Sequence, residues 1–152
     1  MDIEEFNQKK AELKDILSKH GKSMLQQLFT ELLSSGVIKE VRWYQYTPYF
    51  KDGDPCVFGV DLPQYKTRNN EKEYDEDPWS CGSFMLTRPT RFDDKPNEYY
   101  DPEAAPLIEA FEKQFNKVED LLLDVFGDHQ IIRAYLTDTG EVEFEAEWYE
   151  HD

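Results

Sequence analysis

The chain is short of most of what would announce a chemistry. Its two cysteines, Cys56 and Cys81, have no CxxC spacing. That excludes a disulfide framework, and both are expected to be reduced thiols of a cytoplasmic protein. No apolar run approaches the roughly 20 residues a membrane-spanning helix needs. The opening MDIEEFNQKKAELKDIL is charged and amphipathic, where a secretion signal carries an apolar centre. The phosphate-binding glycine loop, the dinucleotide fingerprint, HExxH and GxSxG are all missing, and His20, His129 and His151 are scattered. Bases are scarce as well: 17 against 33 acids, for a net charge of −16. Such a chain is expected to repel nucleic acid and anionic membrane. It should attract basic partners over about a Debye length, ~8 Å at physiological salt.

Aromatic residues, by contrast, are plentiful. Ten Phe, nine Tyr and three Trp argue against an acidic disordered chain and for a real core. A length of 152 residues suits one domain over 1–152. The charge is unevenly placed. Residues 101–152 hold fifteen acids against Lys113, Lys117 and Arg133, so this last third carries −12 of the −16.

Helical spacing of Phe6, Leu13, Ile16, Leu17, Met24, Leu25, Leu28, Phe29, Leu32 and Leu33 predicts a helix over 3–35. Gly21 is a point at which it could divide, and Ser34-Ser35-Gly36 stops it. VIKEVRWYQYTPYF predicts a strand, with Val41 and Trp43 inward. A turn through Asp52-Gly53 leads to PCVFGVDL, a second strand with Cys56, Phe58, Val60 and Leu62 on one face. Residues 63–100 keep no period and are expected to form a long irregular loop, SCGSFML being a short strand within it. Asp101-Pro102 then opens a helix over 103–126, whose regular turns Pro106 delays and Gly127 closes. HQIIRAYLT, the turn DTG and EVEFEAEWY form a hairpin. The order α-β-β-(long loop)-α-β-β predicts a single α+β domain: about four antiparallel strands with two helices on one face.

The last strand carries Glu141, Glu143, Glu145 and Glu147 on one side, with Val142, Phe144, Ala146 and Trp148 turned to the helices. Neighbouring carboxylates stand about 6.8 Å apart at a strand's rise. A one-sided sheet alternates polar and apolar residues in any case, so each Glu alone needs no further cause. As a row with few bases near it, Arg133 and Arg42 being able to pair with one or two members, it resembles a phosphate backbone. Glu112, Glu119 and Asp120, with Glu109 and Asp124, extend the acidic surface along the second helix. Tyr44 and Tyr46 fall on the comb's side of the sheet, and with Tyr135 could anchor a partner.

WYQYTPYFKDGDPCVFGV, residues 43–60, resembles a segment of small uncharacterised proteins of bacteriophages and bacteria. The resemblance implies a phage or mobile-element setting and no catalytic residues. In that setting a small acidic protein is similar to nucleic-acid mimics used against host defence, and to acidic immunity proteins that neutralise toxin nucleases.

The sequence therefore predicts an acidic inhibitor rather than an enzyme, acting by stoichiometric binding without cofactor or metal. Its partner would be a basic protein surface, such as that of a nuclease or nucleic-acid-binding complex. Direct binding of nucleic acid or membrane is not expected, and the location would be the cytoplasm, the host's if phage-encoded. Two alternatives stay open. One is an immunity-type or scaffold protein that binds through exposed aromatics. The other is a small hydrolase using Cys81 or a metal at Glu71, Glu73, Asp75, Glu76 and Asp77.

Overall fold

The computed structural model describes residues 1–49, 53, 55–69 and 82–151. The alternative catalytic and metal-binding loop, with Cys81 and the acids of 71–77, lies outside them, as does most of the Asp52-Gly53 turn. Among the described residues the fold is α+β, with four helices and a five-stranded antiparallel sheet.

Helix α1 spans Ile3–Leu33 without interruption. Asp2 caps it, accepting a 2.8 Å hydrogen bond from the Glu5 N–H, and Gly36, at φ 78°, turns the chain away. Gly21 does not divide the helix; it is buried where α1 crosses a later helix. The predicted apolar stripe is only half used. Leu25, Phe29, Leu32 and Leu33 are buried, whereas Phe6, Leu13, Ile16 and Leu17 are exposed, because the domain begins to cover α1 only at Gly21; Met24, beyond it, is exposed too.

Strand β1, Ile38–Tyr46, is the sheet's hub. β2, Gly59–Val60, and β3, Gln64–Thr67, share one of its edges, with Gln45 opposite Val60 and Arg42 opposite Gln64. Between them Asp61 N–H bonds the Tyr44 carbonyl, and Pro63, which has no N–H, interrupts the ladder. The expected strand over 55–62 is therefore displaced. Only Gly59 and Val60 of it pair with β1, and Leu62 is 65% exposed. The expected irregular stretch over 63–100 contains β3 and a short helix, α2, Ser83–Thr87, which replaces the predicted strand and buries Leu86.

The second long helix divides into α3, Ala105–Phe115, and α4, Glu119–Phe126. Pro106 sits in the first turn of α3, as its delayed start requires, after Asp101 has accepted the N–H groups of Glu103 and Ala104. Asn116 and Lys117 then redirect the chain so that Leu121 and Val125 of α4 meet Gly21. The hairpin forms as predicted: β4, Gln130–Leu136, pairs with β5, Val142–Trp148, and β4 also pairs with β1. The strand order is β2-β1-β4-β5, so β5 is an edge.

Aromatic rings hold the layers together. Trp43 of β1 stacks on Phe29 of α1 at 5.2 Å and meets Phe115 of α3 and Phe126 of α4 edge-on. Phe144 of β5 meets both Phe29 and Phe126. Each such pair contributes about 0.5–1.5 kcal/mol beyond its area burial, so these five rings from five elements do much to specify the core. β5 outruns this core: Val142 is buried and Phe144 packs on it, but Ala146 is exposed and Trp148 is 62% exposed, contrary to the expected inward direction.

Candidate functional site

Register places the candidate residues. Glu40 lies opposite Tyr135, which lies opposite Glu143; Arg42 faces Arg133, which faces Glu145; Tyr44 faces Ile131, which faces Glu147. These side chains alternate with the buried Val41, Trp43, Ile132 and Ala134, so they share the opposite side of the sheet. Lys66 and Gln64 of β3 continue the same rows. Tyr44, Tyr46 and Tyr135 thus stand on the comb's face, as the alternation predicts.

The comb is built into a network. Arg133 donates to Glu145 Oε2 through Nε at 3.2 Å and Nη2 at 2.6 Å, and through Nη1 to Glu40. Lys66 Nζ is 2.9 Å from the other oxygen of Glu40. Tyr135 Oη lies 3.1 Å from both Glu143 and Glu145, so its one proton bridges them. The Arg133 hydrogen bond, helped by that of Tyr135, holds the Glu145 carboxyl below the ordinary value. The hydrogen bond to Glu145 first, then desolvation and the bond to Glu143, push the Tyr135 phenol up. Arg42 donates twice to Gln64 Oε1, at 3.2 and 2.7 Å, and lies over the Tyr44 ring.

Glu147 and Glu141 differ from these two. Glu147 lines a shallow hollow of about 210 Å³ with Arg42, Ile131, Arg133 and Glu145. Glu141 precedes β5, where its carbonyl accepts from the Thr137 N–H to close the turn. Neither carboxylate has an ion pair among the described residues. By alternation this face holds five carboxylates (Glu40, Glu141, Glu143, Glu145, Glu147) and three cations (Arg42, Lys66, Arg133), two negative charges in excess, with Asp138 in the adjoining turn.

The helix acids do not join it. Both oxygens of Glu112 are occupied inside the fold, accepting from Tyr65 Oη at 2.9 Å and Ser83 Oγ at 3.0 Å. Glu112 therefore pins α3 to β3 and α2. Burial, with the Glu112 charge second, pushes the enclosed Tyr65 phenol well up. Glu119 and Asp120 sit in the first turn of α4, where the helix dipole favours carboxylates. Phe126 of α4 packs on Phe144, and the comb points away from Phe144, so the α4 acids and the comb face different ways.

An aromatic cluster at the Tyr46 end of the face had no separate signal in the sequence. Tyr149 meets Tyr44 and Tyr46 at 4.8 and 5.3 Å. The His151 ring stacks on Tyr49 at 4.3 Å and lies beside Tyr46. His129 Nδ1 is 2.7 Å from His151 Nε2, so one imidazole donates and the other accepts. Asp128 fixes this corner, accepting from Thr47 N–H at 2.7 Å and Thr47 Oγ1 at 2.6 Å. Burial works to raise the Asp128 carboxyl, but the Thr47 and His129 hydrogen bonds outweigh it and hold the group below its ordinary value. Among the described residues no three His, Cys, Asp or Glu side chains converge on a metal-sized centre, and no helix is long and apolar enough to cross a membrane. No family model, curated protein or solved structure matches the chain.

Proposed function

We propose that this protein acts by stoichiometric binding rather than turnover, as an acidic inhibitor. Its β4–β5 hairpin and the adjoining sheet face would dock on a basic, nucleic-acid-binding surface of another protein. The proposal takes α1, α3 and α4 as the cover of one side of the sheet, with the other side left to the partner. The observation that carries it is the excess of carboxylate on that face. Arg133, the hairpin's one cation, is already engaged by Glu40 and Glu145, which leaves Asp138, Glu141 and Glu147 without an ion pair among the described residues. A partner's Lys and Arg would supply it, as they do to a phosphate row. Tyr44 and Tyr46 beside the row would supply contact area. A nuclease or nucleic-acid-binding complex of a host cell is the partner class this chemistry fits.

The test is capture from bacterial lysate with wild type and with a Glu141→Gln, Glu143→Gln, Glu147→Gln variant, which keeps the Arg133–Glu145 pair. Wild type should retain a nucleic-acid-binding protein that rising salt and added duplex DNA both release, and the variant should lose at least tenfold in affinity, about 1.4 kcal/mol. Equal capture by both would overturn the reading. A second reading is favoured by the Tyr44–Tyr149–Tyr46–His151 cluster: an immunity-type or scaffold contact made by rings. It expects capture that is insensitive to salt and lost in Tyr44→Ala with Tyr46→Ala.

A further inference from the structure

The beginning of α1 stands clear of the domain. Every residue from Met1 to His20 is exposed, and Gly21 is the first to be buried. At 1.5 Å per residue this arm is about 30 Å long. A merely solvated helix has no use for large apolar side chains, yet Ile3, Phe6, Leu13, Ile16 and Leu17 are 79, 58, 57, 51 and 46% exposed. Positions 3, 6, 10, 13, 17, 20 and 24 keep the alternating three- and four-residue spacing of a two-helix seam. Five of them are apolar; Lys10 and His20 are the exceptions.

Charge indicates what covers the seam. Residues 1–22 hold Asp2, Glu4, Glu5, Glu12 and Asp15 against Lys9, Lys10, Lys14, Lys19 and Lys22, a balance of zero. The remaining residues therefore carry the whole −16. A second copy is repelled by most of the molecule but not by the arm. Within the arm Asp2, Glu4 and Glu5 stand at the beginning and Lys19 and Lys22 at the end.

We propose that the arm is a self-association surface, two copies pairing their α1 arms antiparallel with Phe6 of each against Leu17 of the other. This orientation sets each acidic beginning against the other copy's Lys19 and Lys22 and opposes the two helix dipoles. Lys10 lays its aliphatic stem along Leu13 of the second copy and keeps its ammonium in water. The stretch that pairs is the stretch that is exposed, 3–20 against 20–3. The two acidic bodies sit at opposite ends, about 30 Å apart and several Debye lengths from each other. A parallel pair would bring the bodies together and set Lys10 on Lys10 and Lys9 against Lys14. The inference stands apart from the partner-binding reading and survives its failure.

Sedimentation equilibrium of the full chain tests it. Wild type should rise from 18.0 kDa to twice that mass across the micromolar range. The variant Leu13→Glu with Leu17→Glu should stay at 18.0 kDa with an unchanged near-ultraviolet circular dichroism spectrum, because neither side chain belongs to the core. Orientation is read in a Cys56→Ser, Cys81→Ser background: Phe6→Cys and Leu17→Cys chains, mixed and mildly oxidised, should crosslink to each other and not each to itself. A monomeric wild type, a dimer that survives the double Glu variant, or like-with-like crosslinks would overturn the proposal. So would a monomer whose arm binds neutral lipid vesicles, which would assign the seam to a membrane surface.

Discussion

At the scale of the residue, Gln45 shows what the core demands. Alternation along RWYQY puts it inside with Val41 and Trp43, and it is fully buried. Every polar atom it has is engaged: Oε1 accepts from Trp43 Nε1 at 2.9 Å, and Nε2 donates to the carbonyls of Leu122 and Gly127 at 3.0 and 2.7 Å. One amide thus satisfies an indole and two carbonyls where α4 ends. Gln45→Leu keeps the volume and strands all three groups. Urea unfolding should show a loss of roughly 2–4 kcal/mol, whereas Glu143→Gln, on the surface, should stay within about 0.5 kcal/mol of wild type.

At the scale of the element, the Asp128–Thr47 clamp joins the end of β1 to the α4–β4 junction. The folded state holds the Asp128 carboxyl below its ordinary value. Its contribution is therefore complete above the unfolded value, near 3.9, and is lost as pH falls through the folded one. The stability gap between wild type and Asp128→Asn, measured by urea unfolding from pH 6 to pH 3, should be widest at pH 6 and close on acidification; a gap that widens would refute the assignment. Elements were legible in the sequence where one local rule decides them. The period of Leu25 to Leu33, the Pro106 start, Gly127, and the β4–β5 turn all follow from short-range chemistry. Gly21 looked like a break because spacing says nothing of a neighbouring helix; an added Cβ there would come 2.6 Å from Leu121. Periodicity gives a helix an apolar face without saying what covers it, so the spacing from Phe6 to Leu33 predicts the helix and not where its burial begins. The common face of the glutamates and tyrosines followed from alternation alone. The union of Arg133 with Glu40, 93 residues away, depends on a register that only the folded sheet sets.

At the scale of the whole molecule, the −16 charge is a self-repulsion as well as a lure. The ion pairs seen at the surface, such as Lys19–Asp15 and Arg68–Glu103, are exposed and contribute little. Screening should therefore relieve more repulsion than it removes attraction. Raising NaCl from about 0.05 to 0.5 M should lift Tm in a thermal scan by several degrees, corresponding to about 1 kcal/mol. A Tm that falls would mean that the Arg133–Glu40–Lys66 network outweighs the net charge. The overhang of β5 has another consequence at this scale. Trp43 is fully enclosed and Trp148 is 62% exposed at the end of β5. With Trp79 replaced by Phe and excitation confined to indole, the chain is left with two tryptophans that report on different events. A water-borne quencher reaches one indole and not the other, so whatever covers the far end of β5 dims the quencher's effect on Trp148 while the emission of Trp43 attests that the fold has not changed.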